Sequence, residues 1–176
     1  MSRPTRRPTR VFNAMRYVTR VLQPGETVVY ETQLHWLIYL RAILALIAAA
    51  FLGIGALSVA SDQRQYLSLS LWIAAAIFAL LALSAALGAF VRRATTELAV
   101  TNHRVIYKTG LLSRHTLEMN LSKVESVDVN QTILARIFGY GTIIVRGTGG
   151  SLEPMRRIAD PLTFRSHITA ADQPRA

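Results

Sequence analysis

Histidines and paired carboxylates are the side chains from which a catalytic or metal site would have to be built, because the chain contains no cysteine. The histidines are far apart in sequence, and none belongs to an HExxH-type arrangement. Glu125 and Asp128 lie close together, but residues three apart on a strand face opposite sides. We therefore predict no enzymatic activity, no metal ion and no cofactor. The four histidines are expected at an interface, in a turn, on a strand and on a helix surface, respectively: His35, His103, His115 and His167.

The glycine-rich stretch at residues 146–150 could hold an anion through backbone N–H groups. It lacks the lysine and the strand-to-helix context of a phosphate-binding loop, so it is interpreted as a hairpin turn. A second turn is predicted upstream, where Gly139 would end a short helix in the left-handed conformation. The glycines of the two structural turns are Gly139, Gly141, Gly147, Gly149 and Gly150. The pair Arg156-Arg157 could contact phosphates of lipid or nucleic acid, but is interpreted as solvated surface.

The distribution of charge argues against nucleic acid as a partner, although the formal net charge is +10. Between Ala42 and Val91 the only charged residues are Asp62 and Arg64, and all the other charges lie on the two flanks. This segregation is typical of a membrane protein. It gives no indication of a small-molecule substrate.

Two apolar runs, at residues 42–61 and 68–91, are each long enough to span the ~30 Å hydrocarbon core at ~1.5 Å per residue. A soluble helix pair would need a polar face, which these runs lack. The sequence therefore predicts transmembrane helices at residues 37–60 and 68–91, joined by a periplasmic loop at 61–67. Small residues four apart, such as Ala49 and Gly53, would let the helices approach closely.

Basic flanks place both termini in the cytoplasm of a bacterium, with the hairpin crossing the inner membrane twice. Aromatic residues are expected at the inner and outer membrane interfaces, and arginines at the inner face. These predicted membrane-interface residues are Trp36, Tyr39, Arg41, Tyr66, Trp72, Arg92 and Arg93.

The N-terminal flank divides into a disordered basic arm at residues 1–10 and, at residues 11–36, an amphipathic helix with an extended lead-in. The helix is indicated by apolar residues at helical spacing: Val11, Met15, Val18 and Leu22. It either lies on anionic lipid headgroups or docks its apolar stripe on the cytoplasmic domain.

Alternating apolar residues after Arg93 predict short antiparallel strands, each with one solvent-facing side. Helical spacing returns between Gln131 and Phe138, and Asp160-Pro161 is typical of a helix start. The sequence thus predicts a small α+β domain at residues 94–168, an antiparallel barrel or half-barrel capped by a C-terminal helix. Residues 169–176 are expected to form a disordered tail.

The order of motifs in this region, from TNHRVIYKTGLLSR through LSKVESV and GYGT to the GTGG turn, resembles the bacterial pleckstrin-homology (PH) domain family in its membrane-flanked, single-domain form. The resemblance covers roughly residues 94–168. It implies a PH-like fold and a non-enzymatic role, and it supplies no ligand. The first hairpin offers only Arg104 and Lys108, so the lipid recognition of eukaryotic PH domains is not carried over.

The sequence therefore predicts a membrane-anchored binding or scaffold module that presents a PH-like domain at the cytoplasmic face. A protein partner or a second copy of the chain is expected to bind there. Two alternatives stay open: recognition of anionic lipid by the basic domain, and a role as an accessory subunit of a transport or export complex.

Overall fold

The computed structural model describes residues 17–60, 64–111, 113–148 and 152–172. Several predictions lie outside these residues. They are the basic arm at 1–10, the first part of the amphipathic helix, residues 61–63 of the predicted loop, the two turn residues Gly149 and Gly150, and the end of the predicted tail.

The described chain begins with one helical turn, α1 (Val18–Val21), followed by strand β1 (Val28–Thr32). Val18 is buried against Ala99 and Ile106, which belong to strands later in the chain. The described part of the amphipathic helix therefore docks on protein, which is one of its two predicted fates.

A helical hairpin follows a 3-10 turn at Trp36–Tyr39, and it consists of α2 (Leu40–Ser58) and α3 (Gln65–Thr95). Both helices are long and apolar enough to cross a membrane. α3 is longer than the predicted 68–91: it starts inside the predicted loop and passes through Arg92 and Arg93. Those arginines were expected to end the helix, but basic side chains in a last turn are favourable for the helix dipole.

The helix contact is a seam of small buried residues spaced seven apart. They are Ala42, Ala49 and Ala56 on α2, and Ser68, Ala75, Ala82 and Ala89 on α3. The Ser68 hydroxyl donates a hydrogen bond to the Ala56 carbonyl at 3.2 Å. The predicted four-residue spacing is thus replaced by a seven-residue one, which keeps one side of each helix facing the other.

Sheet 1 has four antiparallel strands in the order β1-β2-β3-β4, the last three being β2 (Glu97–Thr101), β3 (Arg104–Thr109) and β4 (His115–Asn120). β1 precedes the hairpin and β2 follows it, yet they are neighbours, with Thr32 opposite Leu98. The predicted domain start at residue 94 is therefore corrected. β1, expected only as a lead-in, supplies one strand of the sheet.

Sheet 2 has three antiparallel strands in the order β5 (Val124–Asn130), β6 (Tyr140–Gly147) and β7 (Leu152–Ala159). Helix α4 (Ile133–Ile137) connects β5 to β6, and α5 (Pro161–Asp172) follows β7. α5 begins where Asp160-Pro161 predicts. It extends past the predicted tail boundary at 169, because Ala171 packs against the core.

The two sheets are linked at one corner by the segment just after β1. The Ala159 N–H donates to the Gln33 carbonyl at 3.2 Å, and the His35 N–H donates to the Arg157 carbonyl at 2.8 Å. Closure of a full barrel stays a prediction. The core combines side chains of both sheets and α5, and its fully buried members include Leu98, Val100, Ile143, Met155, Ile158 and Phe164.

β2 is buried along its whole length, although each strand was predicted to have one solvent-facing side. Leu98 and Val100 face the core. Ala99 lies on the opposite face, which α1 covers through Val18. The second face of β2 is thus buried by α1, which precedes the hairpin in sequence, whereas β2 follows it.

Among the turn glycines, Gly139 is confirmed: it follows α4 with a φ of 71°. Gly141 and Gly147 lie inside β6 rather than in turns. A Cβ at 141 would come 2.9 Å from side-chain atoms of Gln131 and Pro161, and one at 147 would come 2.9 Å from Met119. A side chain at 141 would require Gln131 or the Pro161 ring to shift, whereas at 147 the flexible end of Met119 would have to move.

Candidate binding site

A buried ion-pair network fixes the end of sheet 1 that is remote from the hairpin. Arg104 binds both Glu26 oxygens, at 2.9 and 2.8 Å, and also donates to Glu118 at 2.7 Å and to the Val21 carbonyl at 2.6 Å. The Glu26 side chain is only 1% exposed. The network therefore ties the α1–β1 connection to the β2–β3 turn.

Two opposing effects act on the pKa of Glu26. Burial raises it, but hydrogen bonds from Arg104, the Gln23 N–H and Thr101, together with the Arg104 charge, hold it below its usual value. Lys108 is likewise paired, with Glu97 at 3.1 Å. The two basic residues of the first hairpin are thus engaged within the domain.

We call the place where the helices meet the sheets the hairpin base: the 3-10 turn at Trp36–Tyr39 and the last turn of α3 at 92–95. His35 caps the 3-10 turn, since its Nδ1 accepts the Leu37 N–H at 3.3 Å, and its ring stacks on Tyr140 at 5.4 Å. Burial lowers the pKa of His35, although the Asp160 charge acts in the opposite direction. A neutral imidazole is what this capping role requires.

One side of the hairpin base forms a cleft of about 550 Å³, here called the basic cleft. Arg92 of α3 and Arg156 and Arg157 of β7 line it, and none of the described lining residues is acidic. Its other walls include apolar side chains: Leu34, Ile38, Val91 and Leu111. Guanidinium groups beside an apolar surface suit a ligand with an anionic head and an apolar chain.

A β-bulge explains why two consecutive arginines of β7 both line this cleft. Gly141 pairs with Ile158 and Ile143 pairs with Met155, so one residue of β6 faces both Arg156 and Arg157. Arg157 has a φ of 60°, an uncommon conformation for a residue with a side chain. Met155 and Ile158 stay buried on either side while both arginines are exposed.

The structure brings some predicted interface residues together. Trp36 and Tyr39 lie in the 3-10 turn of the hairpin base, and Arg92 and Arg93 lie in the last turn of α3. Arg41 is exposed in the first turn of α2. These five residues share one end of the hairpin, and their position at a membrane interface stays a prediction.

The other two predicted interface residues lie away from the hairpin base. Tyr66 is exposed at the start of α3. Trp72 lies ~9 Å further along that helix, and its ring is 3.8 Å from where a Cβ on Gly53 would stand.

The histidines do not gather into a site. His167 stacks on Tyr30 at 4.6 Å, and His103 lies in the β2–β3 turn. In the described part of the chain, no three histidine or acidic residues are placed to hold a metal ion.

Sequence reasoning noted Arg156-Arg157 but interpreted the pair as solvated surface. The signal that could have been used is the pair itself inside an alternating strand, since two consecutive charges break the alternation where a bulge would accommodate them. The contribution of Arg92 to the same cleft had no local signal.

Comparison with known proteins agrees with the motif order described above. A family model described as bacterial PH domain matches residues 33–172, which is most of the chain and includes the hairpin. No curated protein and no solved structure matches the chain.

Proposed function

The chain belongs to the bacterial PH domain family, and from this premise we propose that it is a membrane-anchored, non-enzymatic binding module whose basic cleft holds anionic lipid headgroups. PH-like domains usually mediate binding. The proposal assigns the hairpin to the bacterial inner membrane, with both termini in the cytoplasm.

The outer surface of the hairpin supports the membrane anchor. Large apolar side chains cover it, with Phe51 at 70% and Leu80 at 67% exposure. Hydrocarbon would remove this surface from water at a gain of roughly 25 cal/mol per Å². The concentration of Lys and Arg outside the hairpin supports the cytoplasmic orientation of the domain.

The basic cleft is the observation that carries the ligand class. Arg92 stands in the last turn of an apolar helix, so a bilayer around the hairpin would put this cleft at the headgroup level. Lipid phosphates at that level would meet three guanidinium groups, and acyl chains would meet the apolar walls. The sequence alone favours a protein partner or self-association, whereas the cleft favours the lipid alternative.

The test measures the thermal unfolding of the full chain in a neutral detergent. Short-chain phosphatidylglycerol should raise the melting temperature more than short-chain phosphatidylcholine does. A ligand at a hundred times its Kd stabilises by about 2.7 kcal/mol. The variant Arg156→Gln should lose most of this difference.

Arg165→Gln is the matched control, because Arg165 is an exposed arginine of α5 outside the cleft. It should respond to phosphatidylglycerol as the unmodified chain does. An equal response to both lipids, or an undiminished response in Arg156→Gln, would contradict the assignment to the cleft. A stoichiometric protein that co-purifies in mild detergent would then favour the partner or the transport-complex alternative.

A further inference from the structure

Helix α4 presents apolar side chains that the rest of the described domain leaves uncovered. Ile133 is 83% exposed and Ile137 is 71% exposed, and Leu134 and Phe138 are also exposed. We call these four residues the α4 patch. Within α4 only Ala135 is buried.

The local structure of α4 is well defined, so the exposure does not come from a frayed segment. The Thr132 hydroxyl accepts the Ala135 N–H at 3.2 Å at the start of the helix. At the end, the Phe138 N–H donates to the Leu134 carbonyl at 3.0 Å and Gly139 turns the chain. Hydrogen bonds at both ends thus hold α4 as an apolar helix between β5 and β6.

The α4 patch adjoins the hairpin base. The Phe138 ring meets the Trp36 ring edge-on, with 6.3 Å between the ring centroids. Trp36 begins the 3-10 turn that leads directly into α2. α4 spans only ~6 Å along its axis, so the whole patch lies near the level at which the hairpin begins.

The charge of α4 fits the same surroundings. Between Gln131 and Gly139 the sequence has no acidic residue, and its single charge is Arg136. An apolar helix with one arginine suits the boundary between acyl chains and anionic headgroups, where the arginine can reach the phosphates.

We propose that the α4 patch inserts into the cytoplasmic leaflet beside Trp36 and gives the domain a second contact with the bilayer. The inference rests on the proposed anchoring of the hairpin, since Trp36 lies at the membrane surface only if the hairpin crosses the membrane. Together with the basic cleft on another side of the hairpin base, this contact fixes the tilt of the domain against the bilayer.

The test uses the absence of native cysteine, which allows one spin label per chain. Three variants of the full chain, Ile137→Cys, His103→Cys and Leu80→Cys, are labelled and placed in nanodiscs of phosphatidylcholine and phosphatidylglycerol. All three positions are exposed, so substitution should leave the fold intact. Accessibility is measured with oxygen, which enters lipid, and with a water-soluble nickel chelate, which does not.

The label at Ile137 should have an oxygen-to-nickel accessibility ratio severalfold higher than the label at His103. His103 is the control in water, because it lies in the β2–β3 turn. The five residues of β2 separate that turn from α3 by about 16 Å at ~3.3 Å per residue. Leu80, in the middle of α3, is the control in hydrocarbon.

Each other outcome has a distinct meaning. A lipid-like ratio at Leu80 with a water-like ratio at Ile137 would overturn the insertion of α4 and leave the anchor intact. A water-like ratio at Leu80 would overturn the proposed anchor itself. A third outcome is a label at Ile137 that neither oxygen nor the nickel chelate reaches and whose spectrum is broadened by a second label nearby. If mixing with unlabelled chain removes this broadening, the patch contacts a second copy, and the insertion is overturned.

Discussion

The helical hairpin and the two sheets differ in the sequence separation of the segments that pack together, although one family match covers both. The hairpin is continuous in sequence, and its helices meet along a seam of alanines on consecutive segments. Sheet 1 instead pairs β1 with β2 across the whole hairpin, and buried charges tie the segment before the hairpin to the strands after it. The hairpin reflects local pattern, whereas the domain depends on contacts between distant segments.

The spacing of helices and strands explains how the hairpin fits between β1 and β2. An antiparallel helix pair begins and ends on the same side, with its axes ~8–10 Å apart. Adjacent strands lie ~4.8 Å apart. A hairpin can therefore be inserted between two neighbouring strands with only a short adjustment at each end.

The largest expected effect comes from removing the hairpin and keeping the two sheets. Replacing residues 36–95 by a short Gly/Ser turn should give a water-soluble domain with a cooperative thermal transition, because β1 and β2 are already antiparallel neighbours. The fragment that starts at Thr95 should lack such a transition, since it has lost β1 and the Val18 contact. The same transition in both proteins would mean that the segment before the hairpin is dispensable.

Arg104→Met should produce the next largest effect, about 3–5 kcal/mol of lost stability, because it leaves the Glu26 carboxylate buried without its partner. Hydrogen exchange of the full chain in detergent should show less protection in sheet 1 and unchanged protection in the hairpin. The control is Arg146→Met, which breaks an exposed ion pair with Asp128 and should cost less than about 1 kcal/mol. Equal losses in both variants would contradict the importance of burial.

Gly139→Val should destabilise the domain by about 1–3 kcal/mol, because a β-branched residue is strained at positive φ. The control lies in the hairpin: a Cβ at Gly88 of α3 would meet nothing within 4 Å apart from its chain neighbours and the backbone of its own helix. Gly88→Ala should stabilise the helix by about 0.5–1 kcal/mol. Urea unfolding in detergent distinguishes the two, and a neutral Gly139→Val would mean that the end of α4 is misassigned.

The smallest effect concerns acid pH and follows from the lowered pKa of Glu26. The ionised carboxylate contributes stability above the pKa that Glu26 has in the unfolded chain. That contribution is lost as pH falls through the lower pKa of the folded state. The stability of sheet 1 should therefore fall below about pH 4.3, the ordinary glutamate pKa.

Glu26→Gln should be less stable at neutral pH and should show a flatter acid response in the same measurement. Glu125→Gln, at an exposed position of β5, should retain the acid response of the unmodified chain. An unchanged acid response in Glu26→Gln would assign the acid sensitivity to another group.

Several parts of the domain could be predicted from the sequence, because they depend on the spacing of apolar residues and on the residue types found in turns. Alternation predicted short antiparallel strands after Arg93, and helical spacing with a following glycine predicted α4 and Gly139. Family resemblance was also readable, and the family match confirms it. Crossing of the membrane, its direction and the inner-membrane location stay predictions.

The binding surfaces were much harder to predict from the sequence. Arg156 and Arg157 form a cleft with Arg92 only because a bulge turns both outward beside the end of α3. The apolar residues of α4 have helical spacing, which predicts the helix but not their burial, and Leu134 and Ile137 are exposed. An apolar side chain on a short helix has the same pattern whether it faces the core or the outside.

The sequence by itself determined the hairpin, the antiparallel strands and the helix boundaries to within a few residues, because charge segregation and side-chain period act within one segment. Only the tertiary structure decided that β1 belongs to sheet 1, that Glu26 lies against Arg104, and that three arginines share one cleft. Each of these joins residues on opposite sides of the hairpin or on different strands. Such pairings depend on where the folded backbone brings two distant segments together, which no local period specifies.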